Sequence, residues 1–181
     1  MRAIAFLVVA VGRLNDFIGR LFAWLTLVAV VLCFTVVVQR YLLSTTQLWM
    51  QDLYVWLNGA MFMTVAGYTL LVEGHVRVDI LYRPASPRRK AMMDLAGVLL
   101  FLLPFCTVVW LWSYEYVQRS WLFHEGSANP GGMPGLFILK TFILVFVVLV
   151  GLQGIAMALR SVLVLAGRES LLPERYRYNP Q

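Results

Sequence analysis

Four stretches of this chain carry no charged side chain for 19, 20, 20 and 19 consecutive residues. They lie between Arg20 and Arg40, Asp52 and Glu73, Asp94 and Glu115, and Lys140 and Arg160. An α-helix needs about 20 mainly apolar residues to cross a bilayer, and it satisfies its own backbone groups in lipid. The chain is also 61% hydrophobic and 13% charged, against about 45–50% and about 25% in soluble domains. The sequence therefore predicts an all-α integral membrane protein with four transmembrane helices.

The charged positions also divide the chain into regions. Residues 20–166 form the predicted membrane domain, with spans at about 21–43, 51–73, 93–115 and 139–163, and residues 167–181 form a cytoplasmic tail. Residues 1–11 resemble a signal peptide, but they lack a small-residue cleavage site and are followed by Arg13, Asp16 and Arg20. We therefore expect residues 1–19 to form an N-terminal helix that lies in the cytoplasmic membrane interface.

The distribution of Lys and Arg predicts the orientation of the spans. Twelve of these residues fall in the N-terminal arm, in the connection between the second and third spans, and in the C-terminal tail. The other three are Arg40, Arg119 and Lys140. Cytoplasmic loops of membrane proteins are enriched in Lys and Arg. The count therefore predicts a multi-pass protein of the bacterial inner membrane with both termini in the cytoplasm and His124 in the periplasm.

The residue types that carry enzyme chemistry are sparse in this sequence. His75 and His124 fall on opposite sides of the membrane, so they cannot share a haem or a metal. Cys33 and Cys106 lie inside apolar runs, where cysteine usually behaves as a small hydrophobe. The glycine-rich residues 126–135 lack the ending of a nucleotide-binding loop. We expect no enzyme activity, metal or cofactor, and the scattered positive charges argue against nucleic-acid binding.

Polar and small residues inside the spans predict how the helices pack. Asn58 and Gln153 lie at different depths, so we expect each to bond a neighbouring helix, a partner subunit or a local backbone carbonyl. Ionisable residues, which usually mark a transport path, do not occur inside the four runs. Small residues recur on the second and fourth spans, at Ala60, Gly67, Gly74, Gly151 and Gly154. They allow close helix approach, either within this chain or against a larger subunit.

Two segments are more polar than the topology requires. The first follows the second span, where a continuing helix would pair Glu73 with Arg77. The same spacing would pair His75 with Asp79. This segment is either a fixed structural corner or an ordinary solvated helix end. The second segment is the long outer connection between the third and fourth spans, whose Gly and Pro residues predict turns. A connection of this length is typical of a functional loop or a mobile one.

Several of these residues form a pattern that resembles a known family. An aromatic residue, an acid and a small-residue pair surround the start of the second span, at Trp49, Asp52, Trp56, Gly59 and Ala60. A corner of the form H-V-x-V-D follows it, at His75, Val76, Arg77, Val78 and Asp79. Later elements are Ser120, Trp121, Glu125, Ser127, residues 131–134, and Leu152, Gln153 and Gly154. Together they resemble the small membrane subunit of tripartite ATP-independent periplasmic (TRAP) transporters, the DctQ-like family, with Asp52 where glutamate is usual.

The resemblance implies a division of labour among three proteins. A periplasmic protein binds the solute, usually an organic acid, and a large membrane subunit carries the ion-coupled path. The small subunit is expected to brace the large one, with both proteins and membrane lipids as its partners. Structural or partner-interface roles are expected for Trp49, Asp52, Trp56, Gly59, Gly67, His75, Arg77, Asp79, Ser120, Glu125, Ser127 and Gln153.

Two other functions fit four spans. The small subunit of a tripartite tricarboxylate transporter also has four spans, but it lacks the H-V-x-V-D corner. A four-helix membrane oxidoreductase would need histidines within the spans or paired cysteines at one membrane face. The sequence has neither arrangement, so an accessory transporter subunit is the preferred prediction.

Overall fold

The computed structural model describes residues 1–75 and 82–178. In these residues six α-helices follow one another: α1 (Arg2–Ala23), α2 (Leu25–Leu42), α3 (Leu48–Leu71), α4 (Pro87–Gly97), α5 (Leu103–Leu122) and α6 (Leu136–Leu165). A π-helical turn, Val98–Leu102, joins α4 to α5. Two short 3₁₀ turns, Glu169–Leu171 and Glu174–Tyr176, shape the tail. The all-helical fold that the sequence predicts is therefore confirmed.

Among the described residues, three helical segments are long and apolar enough to cross a membrane by length and composition. They are Arg2–Leu42, Pro87–Leu122 and Leu136–Leu165. The helix α3, at 24 residues, is not among them. Helices thus lie at all four predicted span positions, and the crossing of the membrane by all four stays a prediction.

The helices pack as an open row. α3 lies between α2 and α6, and α6 lies between α3 and the rod formed by α4 and α5. Cys106 of α5 packs with Val147 and Val150 of α6 in one of the buried centres. Large side chains on the faces of the row, such as Phe62 and Phe101, are 71% and 74% exposed. Such broad apolar faces need lipid or another membrane protein to cover them.

Both ends of the described chain lie at one end of the row, which we call the inner end. There Ala5 and Val8 of α1 pack with Leu163 of α6 and with Leu172 and Tyr176 of the tail. The opposite, outer end holds the connection from α2 to α3 and the connection from α5 to α6. The inner end is therefore built from the two terminal segments together with the ends of α3, α4 and α6.

The helix α1 packs against the inner half of α3 and against α6. Gly19 packs on Tyr68, and Asn15 packs on Gly67. The approach is close, since a Cβ on Gly19 would lie 2.3 Å from Cβ of Tyr68. Farther along α1, the Phe22 ring meets the Phe142 ring of α6 edge to face at 6.0 Å between centres. A break at Trp24 then separates α1 from α2.

Pro104 accounts for the π-helical turn between α4 and α5. Proline lacks an N–H and its ring clashes with the carbonyl four residues earlier. The chain accommodates it with a wider turn, in which the N–H of Leu103 donates to the carbonyl of Val98. Gly154 of α6 packs on this turn, where a Cβ would lie 2.6 Å from Cδ2 of Leu102. The small residue therefore permits a close contact between α6 and the rod.

Candidate functional site

Asp52 forms a buried polar centre at the outer end of α3, where it is 8% exposed. Its carboxylate accepts a hydrogen bond from Nδ2 of Asn129 at 2.9 Å and one from the backbone N–H of Met133 at 3.0 Å. The hydroxyl of Ser127 donates another. We call residues 127–133 the cap loop. The structure thus brings together Asp52 and Ser127, which the sequence analysis singled out separately.

The cap loop is closed by its own hydrogen bonds. The N–H of Ser127 donates to the carbonyl of Met133, and the N–H of Gly132 donates to the carbonyl of Asn129. A Cβ at Gly132 would lie 2.4 Å from Oδ2 of Asp52, so a larger residue would push the loop off the carboxylate. The loop is therefore an ordered cap on α3, which favours the functional interpretation of this connection over the mobile one.

A second outer cluster joins the end of α5 to the start of α6. The Ser120 hydroxyl donates to Oε2 of Glu125 at 2.6 Å, and Nζ of Lys140 pairs with the same oxygen. The ammonium of Lys140 also lies 4.0 Å from the centre of the Tyr116 ring, a cation–π distance. The Lys140 ammonium and the Ser120 hydroxyl hold the pKa of the Glu125 carboxyl below its ordinary value. The cluster therefore contains an ionised carboxylate at neutral pH.

Aromatic contacts strengthen this outer junction. Nε1 of Trp121 donates to Oγ1 of Thr141 at 2.8 Å, and its ring meets the ring of Phe137 edge to face at 4.5 Å between centres. The His124 ring packs on the same Phe137 at 5.8 Å. These contacts hold α5 beside α6, and they give His124 a packing role.

Arg160 of α6 is the centre of a polar cluster at the inner end. Its Nη2 donates to Oδ2 of Asp94 at 3.0 Å, and both Nη atoms donate to Oε1 of Glu73 at 3.3 Å. Asp94 lies on α4 and Glu73 follows α3, so one guanidinium joins three segments. The side chains of Arg160 and Asp94 are only 12% and 8% exposed. Removing one member of such a buried pair leaves an uncompensated charge.

The C-terminal tail completes this inner cluster. The Tyr178 hydroxyl donates to Oδ2 of Asp94 at 2.6 Å and lies 3.1 Å from Oγ of Ser161. Its ring centre lies 4.2 Å from the guanidinium carbon of Arg160. The Tyr82 hydroxyl also donates to Asp94, at 3.1 Å. Burial raises the pKa of the Tyr178 hydroxyl, so it remains a hydrogen-bond donor at neutral pH.

Lys140 in the second outer cluster and Arg160 in the inner cluster are separated by about the thickness of a bilayer core. They are 20 residues apart on α6 (160 − 140), and a rise of about 1.5 Å per residue makes that about 30 Å. This is about the thickness of the hydrocarbon core of a bilayer. Each cation binds a carboxylate on a neighbouring segment, Glu125 outside and Asp94 inside. α6 therefore carries one anchor at each edge of its apolar region.

A buried amide pair lies between the ends of α6. Nδ2 of Asn15 donates to Oε1 of Gln153 at 3.1 Å, and these residues are 1% and 7% exposed. Gln153 thus bonds a neighbouring helix, one of the alternatives that the sequence left open. Asn58 differs, because it is exposed on α3 and has no polar partner in the part of the chain that the structure describes.

Other residues of the predicted set lie along α3. Trp49 is 44% exposed, and Trp56 is half-buried. Gly59 faces Leu139 of α6. Gly67 packs against Asn15 of α1 and also against Leu149 of α6. These glycines therefore serve packing within the chain, while Trp49 stands at its surface.

The predicted corner after the second span is described only in part. α3 ends at Leu71 and Glu73 has a φ of +57°, so the helical continuation that was considered for this segment is not formed through Glu73. His75 is exposed. Arg77 and Asp79 lie outside the described residues, and their pairing stays a prediction.

The sequence analysis does not single out Asn15, Asp94, Arg160 or Tyr178 as functional residues. Asp94 and Arg160 appear there only as boundaries of charge-free runs. Their signal is present, since opposite charges at the same depth of adjacent spans are expected to pair. Tyr178 offers no such signal, because the position of a tail on a membrane protein depends on tertiary packing.

A family model for tripartite ATP-independent periplasmic transporters, DctQ component, matches residues 28–166. The chain belongs to this family. No curated protein and no solved structure matches it. As a DctQ component it is a small membrane subunit of a TRAP transporter, a family of transport proteins and not of enzymes. DctQ membership also implies a complex with a large membrane subunit and a periplasmic binding protein.

The DctQ match includes both outer clusters and most of the inner one. It begins in α2 and ends one residue after α6. α1 and the tail lie largely outside it, yet they supply Asn15 to the buried amide pair and Tyr178 to the inner cluster. The terminal segments of this DctQ protein are therefore integrated into the packed row of helices.

Proposed function

We propose that this DctQ protein braces the large membrane subunit of its transporter during ion-coupled uptake of an organic solute that a periplasmic protein delivers. The family match carries this proposal. The polar chemistry supports it, because Asp94 and Arg160 neutralise each other and are held by Glu73 and Tyr178. Groups on a transport path must exchange partners with a moving ion or solute, whereas these are fixed to one another.

The proposed topology has four spans in the bacterial inner membrane, both termini in the cytoplasm, and residues 1–19 in the cytoplasmic interface. The twelve-to-three distribution of Lys and Arg supports this orientation. The charged residues Arg13, Asp16 and Arg20 on this mainly apolar helix support the interfacial position of α1. The separation of about 30 Å between the anchors of α6 supports its position across the bilayer.

Asn58 supports a docking face on α3. It lies on one side of that helix with Val55 and Phe62, which are 54% and 71% exposed. An amide that faces lipid without a hydrogen-bond partner is costly, and polar side chains commonly bond across transmembrane helices. We therefore assign the face formed by Val55, Asn58 and Phe62 to the large membrane subunit, which would supply the partner for the amide.

The brace role is tested with all three components of the same transporter. Tagged wild-type chain should retain the large membrane subunit through purification. Proteoliposomes that hold both subunits, together with the binding protein, should take up an organic-acid solute under an ion gradient. The chain alone should give no uptake, and saturable gradient-driven uptake by the chain alone would refute the accessory role.

The docking face is tested separately by Asn58→Leu. We expect about fivefold weaker retention of the large subunit, which corresponds to about 1 kcal/mol of lost hydrogen bonding between helices. Asn58→Gln should restore much of it. Thr107→Val is a matched control, because this exposed hydroxyl on α5 already donates to the carbonyl of Leu103. If the wild type binds the large subunit and Asn58→Leu binds it equally well, the face is wrong and the brace role stands.

A further inference from the structure

A groove of about 480 Å³ runs between α1 and the C-terminal tail at the inner end. Its lining is mainly apolar and includes Phe6, Val9, Ala10, Leu171 and Pro173. Arg2 and Arg13 lie at its rim. They are 11 residues apart (13 − 2), or about 16 Å along the helix, so a cation stands near each end of an apolar surface.

The two rim arginines differ from the others nearby. Arg20 and Arg175 both pair with Asp16, at 3.1 and 2.7 Å. Neither Arg2 nor Arg13 has an ion pair or hydrogen bond in the part of the chain that the structure describes. Both are exposed. The groove therefore offers two positive charges whose partners must come from outside the described chain.

The position of the groove on α1 indicates what surrounds it. One side of the helix is polar, with Asp16 and Arg20, and another side exposes Leu14, Phe17 and Leu21, which are 43%, 67% and 55% exposed. At about 100° per residue, the groove lies between these two sides. On an interfacial helix this boundary coincides with the lipid headgroups. With α1 in the proposed cytoplasmic interface, the groove would face phosphate groups and the first part of the acyl chains.

We propose that this groove is a binding site for an anionic phospholipid. Its phosphate and headgroup lie against Arg13 and Arg2, and part of an acyl chain covers Phe6, Val9 and Ala10. Charge complementarity favours this occupant, because basic pockets on the cytoplasmic side of membrane proteins bind anionic headgroups. The groove would tie α1 and the tail, which lie largely outside the family match, to the lipid composition of the membrane. The proposal rests on the interfacial position of α1 and is independent of the docking face on α3.

Native mass spectrometry of the detergent-solubilised full chain tests this site. The chain is titrated with dioleoylphosphatidylglycerol and, separately, with dioleoylphosphatidylcholine. We expect saturable retention of one phosphatidylglycerol molecule, at least tenfold tighter than phosphatidylcholine. Equal affinity for the two lipids would overturn the proposal. Displacement of the lipid by soluble glycerol phosphate at similar concentration would also overturn it, because it would identify a simple anion site.

Three variants distinguish lipid binding in the groove from nonspecific binding to positive surface charge. Arg2→Gln with Arg13→Gln should weaken phosphatidylglycerol about tenfold and leave phosphatidylcholine unchanged. Arg88→Gln with Arg89→Gln is the matched control, since both are exposed arginines of the predicted cytoplasmic side, and it should have little effect. Ala10→Trp keeps all charges and fills the groove, so it should abolish saturable retention. An equal loss in the control, or unchanged binding in either groove variant, would show that the groove is not the site.

Discussion

The buried carboxylates at the two ends of this protein are stabilised by different kinds of partner. Asp52 at the outer end and Asp94 at the inner end are 8% and 7% exposed. Asp52 accepts its hydrogen bonds from neutral groups of the cap loop, such as Asn129 and Met133. Asp94 faces a cation, Arg160, and two tyrosine hydroxyls. The two aspartates are therefore about equally buried, but Asp52 at the outer end has neutral hydrogen-bond donors and Asp94 at the inner end has an ion pair.

The difference concerns both charge and chain connectivity. The donors to Asp52 come from one continuous loop, so this cap can form as a unit when the loop meets α3. The donors to Asp94 come from the segment before α4, from α6 and from the tail. The outer cap is a local closure of one connection, whereas the inner cluster joins distant segments. A change inside should therefore affect more of the molecule than the same change outside.

The largest expected difference in stability is between the variants Asp94→Asn and Asp52→Asn. Asp94→Asn removes the more buried of the two carboxylates that pair with Arg160. It should lower the free energy of unfolding by about 3 kcal/mol, the lower end of the range for a buried pair that loses one partner, because Glu73 remains. Asp52→Asn keeps an oxygen for its neutral donors and should cost about 1 kcal/mol. Denaturant unfolding in mixed micelles, followed by tryptophan fluorescence, measures both. Equal losses would remove the distinction between the two ends.

Removal of the tail's hydrogen bond to Asp94 should have an intermediate effect on the free energy of unfolding. Tyr178→Phe removes the hydrogen bond to Asp94, and a bond to a charged group is typically worth about 1.5–3 kcal/mol. Tyr176→Phe is the control, because the Tyr176 ring packs in the apolar inner cluster and its hydroxyl has no hydrogen bond in the described residues. The same unfolding measurement applies. An equal cost in the two variants would mean that the tail contributes packing rather than polar contacts to the inner end.

The smallest effect is expected from pH at the outer junction. Lys140 and Ser120 lower the pKa of Glu125 in the folded protein, so its ionised form stabilises the fold above the ordinary glutamate pKa of about 4.3. That contribution is lost as the pH falls through the lower, folded-state pKa. The stability difference between wild type and Glu125→Gln should be constant near neutral pH and vanish in acid. A difference that grows on acidification would contradict this assignment, and Glu115→Gln serves as an exposed control on α5.

The predicted spans overlap the helices of the structure to different extents. The predicted fourth span at about 139–163 corresponds to α6, Leu136–Leu165. The third, at about 93–115, lies within a longer rod that begins at Pro87 and ends at Leu122. The rod is longer than the predicted span because its helices continue beyond the apolar core into the polar interface. Charged residues occur within the helices there, so they do not mark where the helices end. Asp52, Ser120, Glu125 and Ser127 were singled out mainly by the family resemblance, and only the structure shows which side chains they contact.

The sequence by itself determined where helices form and which ends carry positive charge, because hydrophobicity and bilayer thickness act on short, local stretches of chain. Only the tertiary structure decided which side chains meet. Asn15 and Gln153 are 138 residues apart, and Asp94 and Tyr178 are 84 apart. Such pairs depend on the order, crossing angle and rotation of whole helices, and these follow from close packing at residues such as Gly19, where the absence of one methyl group decides the approach.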